Sequence, residues 1–147
     1  MPPGRLDLSP GTVLPIKEFS SRGHPPKNKY VLIIGSHSDS VIALGFLLSS
    51  QLQYLQRETH KKEIVRVPDR ATTFLYRESI IQCFHLEKLS VSELCAGSDA
   101  GRVTCEGRLG ARYLHKVRDC VENSRLLAHE DIELALNVLP KPSPRAC

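Results

Sequence analysis

The sequence predicts a mainly β domain that ends in two helices, an α+β fold built as a compact barrel or curled antiparallel sheet. Three observations support this prediction. Short apolar runs of strand length are separated by turn-forming residues, these runs do not alternate with helices, and the apolar period changes to three or four residues after residue 108. Strands followed by helices indicate an antiparallel sheet with helices at one end.

The centre of the sheet is predicted from two continuous apolar runs. Residues 29–35 (KYVLIIG) are rich in β-branched side chains, and residues 41–48 (VIALGFLL) form a second run of strand length. Because neither run alternates with polar residues, we expect both strands to be covered on both faces. Gly45 within the second run predicts a bulge or a close backbone approach.

The remaining strands are shorter and less regular. A first strand is predicted over residues 11–19, where Pro15 favours a sheet edge or a bulge. Residues 51–60 fit a helix or a strand equally well. Other strands are predicted at residues 61–68, as an edge strand, at 72–76 and 79–89, as a pair or one long bent strand, and at 102–105 after a turn at 97–101.

The two helices are predicted from apolar spacing. Residues 108–122 carry apolar side chains at three- and four-residue steps on one face and charged side chains on the other. A second helix begins near His129, has Glu130 and Asp131 in its first turn, where the helix dipole favours negative charge, and ends before Pro140.

Length and composition indicate one globular domain. The chain has 147 residues, of which 41% are hydrophobic and 24% charged, a composition too apolar for a disordered protein. We assign the domain to residues 11–139, between a loosely held leader (residues 1–10) and a Pro-rich tail (residues 140–147).

Charge and cysteine content set limits on partners and location. A net charge of +4 permits a nucleic-acid partner without requiring one. Five cysteines without CxxC spacing and the lack of a signal-peptide pattern predict a reduced, cytoplasmic protein. The apolar run at 41–48 is too short to cross a membrane. Cys83 with His85, and His115 with Cys120, lack the further ligands of a zinc site, so no metal is expected.

Several segments resemble the PemK/MazF toxin superfamily in their order and hydrophobic pattern. PGTVLPIKEF is similar to its first strand, and SSRGHPPKNKYVLIIGS resembles its polar loop and second strand. VIALGFLLSSQLQ resembles its third strand and the polar segment that follows, ESIIQCFHLEKLSVSEL a later strand, and EDIELALNVL the closing helix. The resemblance covers about residues 11–139.

The resemblance implies an SH3-like barrel that forms a homodimer, has an antitoxin protein as a partner and cleaves single-stranded RNA without a cofactor or metal. In that chemistry the ribose 2′-oxygen attacks the adjacent phosphate and leaves a 2′,3′-cyclic phosphate. A side chain moves the protons and a cation stabilises the phosphorane.

The resemblance also implies the site residues. Lys29 stands where the family has an arginine at the start of the second strand, and Ser49 stands where it has a threonine or serine after the third. The implied catalytic residues are Lys29, Ser49, His24 and His85. The implied RNA-binding residues are Arg22, Lys27, Ser50, Gln51, Arg57, Lys61 and Lys62.

Other functions fit the same residues. The chain departs from the family at Lys29, which lacks the bidentate fork of arginine, and at Gln82 and Phe84, where some members have an arginine and an aspartate. A non-catalytic barrel that binds nucleic acid or a protein partner is therefore the alternative, as is an accessory protein that keeps the fold for dimerisation. His85 fits a half-buried, hydrogen-bonded sheet residue, and the basic residues near Lys61 fit a charged edge strand.

Overall fold

The structure is a computed structural model that describes residues 6–19, 27–37, 41–49, 63–68, 78–105 and 107–140. Within these ranges the chain forms one antiparallel sheet and three helices, two of them at the C-terminal end. The sheet is curled into a half-barrel, which confirms the mainly β, α+β architecture.

The described strands and helices have these bounds: β1 Thr12–Phe19, β2 Lys27–His37, β3 Ile42–Ser49, β4 Ile64–Val67, β5 Ser79–Gln82, β6 Glu87–Ser90, α1 Val91–Asp99, β7 Gly107–Arg108, α2 Ala111–Glu122 and α3 His129–Val138. The strand order is β4-β5-β3-β2-β1-β7, and β6 also pairs with β3.

The pair formed by β2 and β3 is the centre of the sheet and separates two hydrophobic clusters. We call the two sides of the sheet the first face and the second face. On the first face, Leu32, Phe46 and Leu48 join the cluster beneath α2 and α3. On the second face, Val31 and Ile33 join the cluster that contains Leu94 of α1. Both faces are therefore covered, as the continuous apolar runs predict.

Gly45 marks the closest backbone approach in this central pair. A Cβ added to Gly45 would lie 2.6 Å from the carbonyl oxygen of Leu32 and 2.8 Å from Cγ1 of Val31. The predicted close approach at Gly45 is thus confirmed. The irregularity in the pairing lies on the partner strand instead, between Ile33 and Gly35, and Gly35 has a φ of +152°.

Polar contacts fix the two C-terminal helices to the first face and to each other. The buried Glu63 carboxylate accepts hydrogen bonds from the Ser124 hydroxyl and from the backbone N–H groups of Arg125 (3.0 Å) and Leu126 (3.1 Å), in the α2–α3 connection. Arg118 on α2 donates to the carbonyl oxygens of Leu136 and Leu139 at the end of α3, each at 3.2 Å. These bonds satisfy groups that a helix end leaves unpaired.

The helix α1 differs from the prediction, which placed a turn at residues 97–101. The side chain of Ser90 accepts a hydrogen bond from the backbone N–H of Glu93 and caps the helix. Gly97 lies within the helix, and its missing side chain leaves room for Val103, whose Cγ2 would lie 2.7 Å from an added Cβ. The predicted strand at 102–105 is also wrong, since only Val103 forms a bridge, to Ile16.

Other boundaries also differ. Residues 79–89 form two strands, β5 and β6, which pair with successive parts of β3 rather than with each other. Residues 83–86 turn between them, and Cys83 and Leu86 both enter the first-face cluster. Helix α2 begins at Ala111 because Gly107 and Arg108 pair with β1. Pro15 lies within β1, between β2 and the Val103–Thr104 segment, rather than at a free edge.

The structure describes part of the expected N-terminal leader but not the segments at residues 51–60, 72–76 and 141–147. Leu6 and Leu8 of the expected loose leader pack against the second-face cluster, so this part of the leader is held. The predictions for residues 51–60 and 72–76, and for the tail at 141–147, lie outside the described residues.

The close approach at Gly45 gives a stability prediction. Gly45→Ala forces a methyl group against the Leu32 carbonyl, and we expect the free energy of unfolding to fall by about 1–3 kcal/mol in urea denaturation. The matched control is Gly110→Ala, where an added Cβ meets no atom within 4 Å. We expect that change to stay within about 0.5 kcal/mol. Equal losses in the two variants would contradict the close approach.

Candidate functional site

Lys29 and Ser49 lie side by side on the second face of the sheet. Tyr30 on β2 pairs with Leu48 on β3, so the next position of the same antiparallel register places Lys29 beside Ser49. Facing positions on neighbouring strands have Cβ atoms about 5 Å apart. Both side chains are partly buried. The structure thus brings together two of the four predicted catalytic residues.

A row of facing residues extends from this pair across the sheet. Ile16 pairs with Lys29, Ile80 pairs with Ser49, and Arg66 pairs with Ile80. We call these five positions (Ile16, Lys29, Ser49, Ile80 and Arg66) the cross-strand row. Three strand spacings separate Lys29 from Arg66, which corresponds to about 14 Å. The row therefore carries a cation near each end on one face of the sheet.

Arg66 forms a salt bridge with the carboxylate of a neighbouring residue, Glu78. Its guanidinium contacts Oε2 of Glu78 through Nη2 at 2.6 Å and through Nε at 2.7 Å. The Arg66 side chain is 59% exposed, so water screens the pair and its contribution to stability is small. A polyanion that reaches this end of the row must compete with Glu78 for Arg66. Lys29 lies toward the other end of the row, beside the hydroxyl of Ser49.

His85 lies on the same face but farther along the strands. It is in the turn between β5 and β6, and its Nε2 is 2.9 Å from Oε2 of Glu87. Glu87 pairs with Gly45, which is four residues before Ser49 on β3 and hence about 13 Å away. The histidine side chain is 25% exposed and the carboxylate 8%. The imidazole is therefore held by a buried acid, with part of the ring open to solvent.

The contact with Glu87 sets the chemistry of the imidazole. A carboxylate that accepts from Nε2 favours the tautomer with the proton on Nε2, which leaves Nδ1 as the proton-accepting nitrogen. A buried acid that orients a histidine is the arrangement of a general base. The sequence prediction named His85 without Glu87. Because His85 lies in the turn at residues 83–86, no local strand period in the sequence identifies Glu87 as its partner.

A groove opens beside the cross-strand row. It has a volume of about 400 Å³ and lies between β1, β6 and α1. Ile16, which pairs with Lys29, lines the groove, together with Phe19, Leu94 and Val103. Lys17 and Arg102 are exposed at its edge, and Glu93 is also part of the lining. The groove thus offers apolar surface for a flat ring next to cationic side chains.

The other predicted site residues are only partly placed. Lys27 begins β2 opposite Phe19, two residues before Lys29. Seven of the predicted site residues lie outside the described residues: His24, Arg22, Ser50, Gln51, Arg57, Lys61 and Lys62. Residue 24 belongs to the segment between β1 and β2, and residues 50 and 51 follow directly on Ser49.

Two further observations concern metals and membranes. Within the described ranges, no group of three or more His, Cys, Asp or Glu side chains is placed to hold a metal ion. None of the helices in those ranges has the length and apolar character needed to cross a bilayer.

The chain was also compared with known proteins. Neither a protein-family model nor a curated protein sequence matches it.

The contact between His85 and Glu87 predicts one dominant imidazole tautomer. At a pH where the ring is neutral, ¹⁵N NMR of the ring nitrogens should show the proton on Nε2, and added salt should change this little because the acid is buried. The matched control is His129, whose Nε2 is 3.0 Å from Glu133 but whose side chain is 85% exposed. We expect that pair to weaken with salt. The same salt response at both histidines would contradict the buried contact.

Proposed function

We propose that this chain binds single-stranded RNA where the second face of its sheet stays partly exposed, at Lys29 and Ser49, and cleaves it without a metal ion. The observation that carries the proposal is the β2–β3 register, which pairs Tyr30 with Leu48 and, continued by one position, puts Lys29 next to Ser49. A cation and a hydroxyl side by side suit the two non-bridging oxygens of one phosphate. This pair coincides with the two strand positions that the PemK/MazF resemblance implies.

The groove beside the row supports RNA over a smaller anion. Phe19 and the aliphatic side chains of the groove supply an apolar surface on which a base can stack, and Lys17 and Arg102 supply charge for the backbone. Stacking on an aromatic ring and cations along the backbone are the two contacts that single-stranded nucleic acids use. Ile16 joins the groove to Lys29 within one row.

In the proposed reaction, Nδ1 of His85 accepts the proton of the ribose 2′-hydroxyl. The 2′-oxygen then bonds to the adjacent phosphorus while the bond from phosphorus to the 5′-oxygen breaks. The 5′-oxygen takes a proton from the imidazolium, so the histidine returns to its neutral form. Lys29 stabilises the extra negative charge on the phosphorane, and Ser49 donates to a non-bridging oxygen. The products are a 2′,3′-cyclic phosphate and a 5′-hydroxyl.

One observation favours a second candidate function, RNA binding without cleavage. The backbone positions of Ser49 and of the Glu87 partner Gly45 are about 13 Å apart along β3. A general base must come within hydrogen-bond distance of the proton it removes. If His85 does not reach the ribose next to the phosphate on Lys29, the same face binds RNA and does not cut it.

The two candidates are separated by measuring binding and cleavage with one labelled single-stranded RNA in EDTA. Lys29→Ala should weaken binding by about 5- to 10-fold and lower the slope of affinity against salt, because one phosphate contact is lost. His85→Ala should leave binding unchanged and slow the formation of cyclic phosphate by about 10²- to 10⁴-fold. The DNA of the same sequence should bind and remain intact, because it lacks the 2′-hydroxyl.

Matched controls come from the helices. Lys116 is an exposed lysine on α2, and His129 is an exposed histidine paired with a glutamate on α3. Lys116→Ala and His129→Ala should change neither binding nor cleavage. Equal effects of Lys29→Ala and Lys116→Ala would contradict the proposed face. If the unchanged chain binds the RNA tightly but does not cleave it, the result would support the second candidate function, RNA binding without cleavage.

The toxin role is the remaining part of the proposal and is tested in growing cells. Tightly induced expression should arrest growth and fragment bulk RNA, and Lys29→Ala should relieve both effects. An antitoxin partner and a homodimer belong to the same proposal, as the resemblance implies. Normal growth with intact RNA at high expression would remove the toxin role and leave RNA binding to be judged by the assay above.

A further inference from the structure

Two cysteines that the proposed RNA site does not use lie against each other beneath α2. Cys83 follows β5 and is fully buried in the first-face cluster, and Cys120 lies on the last turns of α2 with part of its surface open. Cys120 packs against the cluster that contains Cys83, and each thiol shifts the pKa of the other. The Cys120 thiol in turn lies 3.8 Å from the carbonyl oxygen of Ile64 on β4. The two sulfur atoms are therefore neighbours, although 37 residues separate them in the chain.

The backbone around both cysteines is held in place. The N–H of Cys83 donates to the carbonyl of Glu63 at 3.0 Å, and the carboxylate of Glu63 accepts hydrogen bonds from the connection that follows α2. Val117 and Val121, on either side of Cys120, are fully buried in the same cluster as Cys83. Because the sheet and the helix are fixed on both sides of the pair, the sulfur atoms stay in contact.

We infer that Cys83 and Cys120 form a reversible intramolecular disulfide when the chain meets a peroxide. Cys120 lies against the carbonyl of Ile64 and Cys83 against the carbonyl of the preceding residue, Glu63, so the bond would join the end of β5 to α2. This inference does not depend on the proposed RNA chemistry. It assigns a modification site to the opposite face of the sheet.

The two thiols differ in pKa and in accessibility, and both differences favour Cys120 as the thiol that reacts with peroxide. A hydrogen bond with Cys83 lowers the pKa of Cys120, although burial and the charges of Glu63 and Asp119 act against it. Burial raises the pKa of Cys83 well above its ordinary value, and its bond to Cys120 adds to the effect. Cys120 is thus both the more accessible and the more acidic thiol, and the thiolate is the form that reacts with oxidants.

The reaction balances with one peroxide molecule. The Cys120 thiolate attacks one peroxide oxygen, the O–O bond breaks, and Cys120 becomes a sulfenic acid while hydroxide leaves. The hydroxide takes up the proton that the Cys120 thiol released on ionising and becomes the first water. The sulfur of Cys83 then bonds to the sulfur of Cys120, displaces its hydroxyl group and loses its proton to it as the second water. Both thiols are oxidised and the peroxide is reduced to two waters. A dithiol reductant reverses the bond by thiol–disulfide exchange.

The test uses the full chain and hydrogen peroxide at neutral pH, with proteolysis and mass spectrometry under non-reducing conditions. We expect a linked peptide pair that contains Cys83 and Cys120, a loss of two hydrogens from the intact mass and full return after dithiothreitol. The oxidised chain should also have a higher Tm than the reduced chain, because the bond closes a loop in the unfolded state.

Cysteine-to-serine variants then show whether the disulfide forms between Cys83 and Cys120 or involves other cysteines. Cys120→Ser and Cys83→Ser should each abolish the linked peptide, and circular dichroism checks that each variant is folded. The matched control is the double variant Cys95→Ser with Cys105→Ser, two cysteines outside this contact, which should form the Cys83–Cys120 bond as the unchanged chain does. Oxidation of Cys120 to sulfinic acid without a linked peptide, or disulfides that involve only other cysteines, would overturn the inference.

Discussion

The backbone pairing of β2 with β3 is the constraint on which the rest of the structure depends. Each strand is buried on both faces. A shift of one residue would move Val31 and Ile33 to the first face, beneath α2 and α3, and would move Leu32 to the second face. The absence of a side chain at Gly45, against the Leu32 carbonyl, lets the two strands approach. The register is therefore set by packing on two sides at once, and β5 and β6 add to successive parts of β3 in that frame.

The positions of the functional side chains follow from this register. Lys29 begins the buried part of β2 and Ser49 ends β3, so antiparallel pairing places a cation beside a hydroxyl where the apolar runs stop. The same alternation places Glu87 on the second face next to Gly45, where it holds His85. The first face is occupied by α2 and α3 and by the contact between Cys83 and Cys120. One sheet thus separates the polar candidate site from a buried thiol pair.

The sequence predicts the parts of this arrangement that depend on local pattern. The apolar runs of β2 and β3 and the spacing of Leu114, Val117 and Val121 identify the central strands and α2 because burial on a strand or helix imposes its period. Helix α1 was missed, although Ser90 and Glu93 have the spacing of a helix-capping pair, because its apolar side chains do not form a clear face at the helical period. The contact of His85 with Glu87 and that of Cys83 with Cys120 depend on a turn and on helix packing, which no local period shows.

The central claim is that the β2–β3 register makes Lys29 and Ser49 act on one phosphate. A double-mutant cycle for RNA affinity, with Lys29→Ala, Ser49→Ala and both together, tests it most directly. Side chains that share a ligand group are energetically coupled, so the account predicts a coupling of about 0.5–1.5 kcal/mol for this pair. The same cycle with Ser49 and the remote Lys116 should be additive within about 0.3 kcal/mol. Additive losses for Lys29 and Ser49 would contradict the shared site.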